Sequence, residues 1–174
     1  MRVIAYSKEH PEFLTVTCLE WKHVLADDRF KRIITESLSF LNKANRVSIY
    51  AFVIMSNHFH LVWQILGDHK RDAVQRDFLK YTGQQIKLEL QKDNPELLEK
   101  CRVNKPDRKY QIWKRESLSI ELFTPTVFYQ KLEYVHYNPV VAGICEYPEE
   151  YYYSSANFYK NSTDPFNMVT HFIG

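Results

Sequence analysis

Glycine is scarce, at 4 of 174 residues, and none falls in a GxGxxG or GxxxxGK[ST] pattern. That excludes the common nucleotide loops, which need bare backbone close to phosphate. Cysteine is scarcer still. Cys18, Cys101 and Cys145 lie far apart with no CxxC pair, so neither a disulfide frame nor a zinc knuckle is expected, and reduced thiols are. No run of 18 apolar residues occurs, and residues 1–10 hold no apolar leader core; a soluble, cytoplasmic chain without a membrane partner is expected. Charge of either sign hardly dominates, at 23 Lys+Arg against 21 Asp+Glu, a net +2. Total charge therefore says little about nucleic acid, and distribution must carry that argument. HExxH is absent, which excludes a zincin, and the chain is too short for a (β/α)₈ amidohydrolase barrel of about 250 residues.

What is present fits one domain over 1–174, with a peripheral tail from about 156. Hydrophobic residues make up 45% and aromatics 15%, including 12 Tyr and 11 Phe, so a substantial core is available. Residues 13–19 alternate and are β-branched, predicting a strand. Asp27 or Asp28 can cap a helix whose Phe30, Ile33, Ile34, Leu38 and Leu41 share one face. The apolar run 47–55 reads as a buried strand, Ser56-Asn57 as a hairpin turn, and 59–65 as its partner. A long helix over about 71–92 follows, with Val74, Phe78, Leu79, Ile86 and Leu90 inward. Strands are predicted over 110–117 and 119–122. Thr124-Pro125 opens a last helix, expected to stop near Asn138 because Pro139 follows. The order β-α-β-β-α-β predicts an α+β fold, a ferredoxin-like or RRM-like antiparallel sheet with strands one and three central. The helix opened at Thr124 is left over for the sheet's second face.

The third strand carries the first chemical signal. Side chains alternate across a strand, so Phe59, Leu61, Trp63 and Ile65 share a continuous apolar face. His58 and His60 project side by side from the other. A His-x-His pair is often incidental on a half-exposed strand. Here the opposite face is so cleanly apolar that the polar one needs its own explanation, and the i, i+2 imidazoles suit a metal with positions left for a third ligand, water and substrate. A cupin would add a Glu shortly after the second His, but Leu61-Val62-Trp63-Gln64 follows.

The second signal is Tyr134 with Asn138. Four residues apart, they stack on one side of the last helix, while Leu132 and Val135 lie on another, toward the sheet. One tyrosine among 12 would ordinarily be a packing residue. What singles out Tyr134 is a polar i, i+4 partner on a helix with a vacant sheet face to cover.

His58-Phe59-His60, inside AFVIMSNHFHLVW (51–63), resembles the His-hydrophobic-His motif of the tyrosine-type HUH transposases. YVHYNPVVAG (134–143), followed by Tyr147-Pro148 and Tyr153-Ser154-Ser155, resembles the branch called REP-associated tyrosine transposases. The resemblance runs from the first strand to Ser155. It implies Tyr134 as the single catalytic tyrosine, His58 and His60 as ligands of Mg²⁺ or Mn²⁺, and Asn138, where some relatives carry Gln, as third ligand. Glu133 or water are alternatives for that third position. It implies single-stranded DNA hairpins as substrates, and a monomer or a homodimer. The implied reaction is cleavage and rejoining through a 5′-phosphotyrosine. A free tyrosine, with a pKa near 10, needs such a metal-polarised phosphate to attack at neutral pH.

Candidate DNA contacts are the basic segment 100–115, with Arg102, Lys105, Arg108, Lys109, Lys114 and Arg115, and the polar side of the long helix, with Arg71, Arg76, Lys80 and Lys87. Tyr110 and Trp113 are candidates for stacking on bases, whereas Tyr151, Tyr152 and Tyr153 read as packing residues that tie down the tail. Lys131, one turn before Tyr134, can stabilise phenolate or phosphate. Two rivals stand beside the transposase: a domesticated, non-cleaving hairpin-binding protein, and a metal-dependent hydrolase of small phosphoesters. The intact His58, His60 and Tyr134 speak against the first, and the basic segment against the second.

Overall fold

The computed structural model describes residues 9–174. In chain order its elements are β1 (Glu12–Thr17), α1 (Asp28–Lys43), β2 (Val47–Ile54), β3 (His58–Ile65), α2 (Arg71–Asp93), α3 (Pro95–Lys100), β4 (Arg102–Lys105), β5 (Arg108–Tyr110), β6 (Leu118–Glu121), α4 (Pro125–Val141) and α5 (Ala156–Asn161). The main sheet has the order β2-β3-β1-β6, antiparallel throughout. This is the expected α+β, ferredoxin-like arrangement, with β1 and β3 central. Among the described residues no helix is long and apolar enough to cross a membrane.

Period-2 alternation on β1 and β3 builds two cores, one on each face. Leu14, Val16, Phe59, Leu61 and Trp63 pack against Phe30, Ile34 and Leu38 of α1 and Val74, Phe78 and Ile86 of α2. Phe13 and Val62 point the other way, onto Phe128, Leu132 and Val135 of α4. The left-over helix thus covers the second face. The pairing of β2 with β3 shifts between Ile49 and Ala51, so Tyr50 and Ala51 both turn toward α4. This is a bulge's signature, two residues opposing one.

Caps set the helix boundaries. Asp27 accepts a hydrogen bond from the Arg29 amide at 2.9 Å, and Thr124 accepts one from the Val127 amide at 3.2 Å; each cap is worth about 1 kcal/mol. The last helix does not stop at Asn138: α4 runs to Val141 with Pro139 inside it. The missing Pro139 N–H costs one bond, but the last turn is closed independently. Gly143, at φ +72, donates to Val140 O at 2.9 Å, and Ile144 donates to Pro139 O at 2.9 Å, a Schellman closure that suits glycine.

The segment 110–117 is also not a strand. Pro106 and Asp107 turn the chain into the separate β4–β5 hairpin, and Trp113 then drives its ring inward. Its indole N–H donates to Leu79 O and Thr82 Oγ1, both at 3.2 Å. The indole packs over Gly83 of α2, where a Cβ would lie in contact at 3.4 Å. The tail from 156, expected at the periphery, runs along the outer edge of β2 and also places Met168 in the first core and Phe172 on Phe128, ring centroids 4.2 Å apart. Tyr151 and Tyr153 do tie it down: Tyr151 donates to Ile54 O at 2.7 Å and Tyr153 is buried.

Candidate functional site

His58 and His60 leave β3 on the α4 side, opposite Thr17 and Thr15 of β1, with ring centroids 4.9 Å apart. Each is held by its Nδ1. His58 Nδ1–H donates to Asn57 Oδ1 at 2.7 Å, an oxygen that can only accept, so His58 Nε2 carries a lone pair. Thr15 Oγ1 lies 2.8 Å from His60 Nδ1. A proton donated there leaves His60 Nε2 as a lone pair too, and that atom is buried with no hydrogen-bond partner. Buried polar atoms are rarely left so.

Electrostatics keep both rings neutral. Burial, reinforced by His58 and then Lys131, pushes the His60 pKa down to about 3. Burial also lowers His58, partly offset by its hydrogen bond with the Asn138 side chain. Neutral imidazoles are metal ligands by chemistry, and the His60 Nε2 is without a hydrogen-bond partner. Among the described residues no cluster of three His, Cys, Asp or Glu exists. Asn138, whose side chain bonds His58, is a candidate to join His58 and His60 in holding a metal. Glu133 lines a different pocket with Tyr137 and Pro148, on the far side of α4.

Tyr134 stands beside this pair. Its ring is 5.2 Å from that of His60 and edge-on to Phe13 at 5.9 Å, while Phe13 stacks on His60 at 5.4 Å. The tyrosine is 51% exposed, accessible to a macromolecule. Lys131 Nζ sits 4.8 Å from the Phe13 ring centre and 5.5 Å from that of Tyr134, so a fixed cation accompanies the phenol.

His136, two residues on, points inward and anchors the helix. Its Nε2 is 2.8 Å from Ser155 Oγ, which in turn bonds Phe52 of β2. Burial pushes the His136 pKa down to about 4, against about 6.5 in the unfolded chain. Above 6.5 neither state is protonated. As pH falls from 6.5 toward 4 the unfolded chain takes a proton that the fold refuses, so stability drops by about 1.4 kcal/mol per pH unit. At pH 5 the expected loss is about 2 kcal/mol for His136 alone, and His60 adds in the same direction. Urea midpoints at pH 7 and pH 5 measure this; coincident midpoints would contradict it, and His136→Gln should flatten the dependence.

The predicted basic residues divide. Arg76, Arg108, Lys114 and Arg115 line one groove of about 470 Å³ between α2 and the 108–117 segment. Arg71 is tied to Glu12 and Asp72, and Arg102 to Glu99 while lying 5.3 Å over the Tyr110 ring. Lys109 lies 5.2 Å over the same ring; Lys80 and Lys105 are exposed and Lys87 is half-buried, outside the groove lining. Neither predicted stacking ring is open: Trp113 is core, and Tyr110 carries Arg102 and Lys109. Sequence reasoning missed Trp21, which is 56% exposed and lies 5.9 Å from the His58 ring. It also missed Thr15 and Asn57; the register of β1 against β3 alone could have pointed to Thr15.

No family model and no curated protein matches the chain. Among solved structures, a REP-associated tyrosine transposase bound to a REP hairpin is similar over 100% of this chain and 99% of its own, with a TM-score of 0.68 at 15% identity. A protein described as a transposase from Deinococcus radiodurans covers 78% of this chain and 95% of its own at 15% identity, with a TM-score of 0.42. Only the first carries an argument, and what it shows is a shared fold.

Proposed function

We propose that this chain, with the fold of a tyrosine-type HUH transposase, is a strand transferase that cuts and rejoins single-stranded DNA at hairpins. The observation that carries the reading is one row of groups: a solvent-facing tyrosine 5.2 Å from a histidine ring whose buried Nε2 has no partner. A packing tyrosine needs no such neighbour, and a buried histidine nitrogen without a partner is uncommon in a purely structural role.

In this reading His58, His60 and Asn138 hold Mg²⁺ or Mn²⁺, which when bound supplies Lewis-acid polarisation of the scissile phosphate. Tyr134 Oη attacks phosphorus in line. The O–P bond forms as the P–O3′ bond breaks, the phenolic proton leaves to water, and the departing 3′ oxygen takes one up. Lys131 stabilises the developing phenolate. The 5′-phosphotyrosine conserves the phosphodiester energy, so a 3′-hydroxyl can reverse the step and rejoin without ATP. The metal-dependent hydrolase alternative would release product without any adduct. The test incubates the protein and Mn²⁺ with hairpins from DNA flanking its own gene, labelled on the 3′ side. Label retained on protein in a denaturing gel is expected; label lost, or retained only from the 5′ side, would overturn the proposal.

The groove residues make a separate prediction. Four side-chain cations that displace counterions from single-stranded phosphate give a log–log salt slope of roughly −3, and each Ala replacement of Arg76, Arg108, Lys114 or Arg115 should flatten it by about 0.7. Lys105→Ala, outside the groove, should not. A flat salt response by filter binding would place the DNA elsewhere.

A further inference from the structure

We infer that Trp21 is a stacking platform for an unpaired base of the DNA, on the side of the histidine pair away from Tyr134; the inference rests on the function proposed above. In ring-to-ring contact the order runs Tyr134, His60, His58, Trp21, with centroids 5.2, 4.9 and 5.9 Å apart. The nucleophile stands at one end and the indole at the other.

The backbone argues that the side chain is wanted there. Trp21 sits at φ +57 and its neighbour Glu20 at φ +52, a left-handed pair that bulky residues avoid and glycine would accept. The strained turn is held from several sides. The Trp21 amide donates to Cys18 O at 3.0 Å and the Lys22 amide to Leu19 O at 3.1 Å, and Lys22 pairs with Glu20. Asn57 Nδ2 donates to Trp21 O at 3.5 Å, so one amide side chain fixes both the Trp21 backbone and the His58 ring. A 56% exposed indole on a backbone so held, with its ring against His58, is a positioned aromatic surface, which suits a base because every base has a π-face.

In-line attack fixes which base. The leaving oxygen departs opposite the nucleophile, so the nucleotide that gains the free 3′-hydroxyl lies toward Trp21. Stacking there keeps that strand end in place for rejoining.

The test uses two labelled strands with identical phosphates, dT12 and a fully abasic strand of the same length, read by anisotropy and by indole emission. Trp63 and Trp113 are buried, so emission quenched on binding reports Trp21. Expected are quenching by dT12 but not by the abasic strand, roughly tenfold weaker dT12 binding in Trp21→Ala, and recovery of most affinity in Trp21→Phe. On cleaved hairpin, Trp21→Ala should raise the fraction held as adduct, because the freed 3′ end escapes before rejoining. Unchanged dT12 affinity and unquenched emission would overturn the platform and leave the proposed function standing. Weaker binding with an unaltered ratio of adduct to rejoined strand would overturn its placement on the leaving side. Failure to bind either strand would overturn both.

Discussion

Tyr134→Phe is expected to form no covalent species with hairpin DNA, while Tyr137→Phe keeps forming one. Both tyrosines are half-exposed, on one turn of α4, so exposure does not separate them. Direction does. Three residues apart on a 3.6-residue helix they diverge by about 60°. Tyr134 meets the His60 ring at 5.2 Å, whereas Tyr137 lines the pocket shared with Glu133 and Pro148. The phenylalanine variant removes only the attacking oxygen and keeps the ring contacts with Phe13 and His60, so its melting temperature should stay within a degree or two. Adduct formation should fall below detection, an effect of several orders of magnitude, because removing the nucleophile removes the covalent route outright. Persistent adduct in Tyr134→Phe, with none in Tyr137→Phe, would move the nucleophile to the other face of the helix.

The second large effect is at His60. His60→Ala should lower metal-dependent cleavage by about a thousandfold or more, the equivalent of several kcal/mol of lost transition-state stabilisation. Hairpin affinity should change little, since the groove cations supply it. Free Mn²⁺ counted by electron paramagnetic resonance gives a readout independent of turnover: wild type should deplete the free signal and His60→Ala should not. His60→Phe adds a stability test. It fills the same slot beside Phe13 without a buried unpaired nitrogen, an arrangement that ordinarily costs about 1–3 kcal/mol. In chelator it should therefore melt at or above wild type while remaining inactive. A marked loss of stability would recast His60 as a structural residue.

The sheet and its two helical layers were legible because β3 states its pattern twice, apolar on Phe59, Leu61, Trp63 and Ile65, polar on His58 and His60. The helix caps at Asp27 and Thr124 were legible for the same local reason: their hydrogen bonds span two or three residues. What escaped was set at long range. Trp113 looks like a strand residue until Leu79 and Thr82, some thirty positions earlier in the chain, accept its indole N–H on α2. Pro139 looks like a stop until Gly143 and Ile144 close the turn beyond it. Trp21 looks like one more aromatic in a loop, because a left-handed backbone at a tryptophan has no sequence signature. In the candidate site, the side-by-side placement of His58 and His60 and the position of Tyr134 on α4 could be read from spacing. Thr15 and Asn57, which orient the imidazoles, could not, because each depends on pairing or turn geometry that only the folded chain supplies.

The strap of residues 153–155 and 169–170 has a bearing on what a shortened chain would do. Its Tyr153 carbonyl receives the Ile54 amide at 2.9 Å, its Ser155 amide donates to Phe52 O at 3.0 Å, and its Thr170 amide donates to Ile49 O at 2.9 Å. A fragment ending at residue 150 would retain His58, His60, Tyr134 and Asn138, and so every group of the proposed reaction. It would also present β2 as a bare, apolar template for a second strand. Such a fragment should come out of solution as β-rich aggregate before its chemistry could be assayed. Truncation mapping at this end would then register a loss of activity whose cause is a sticky edge, not a missing catalytic residue.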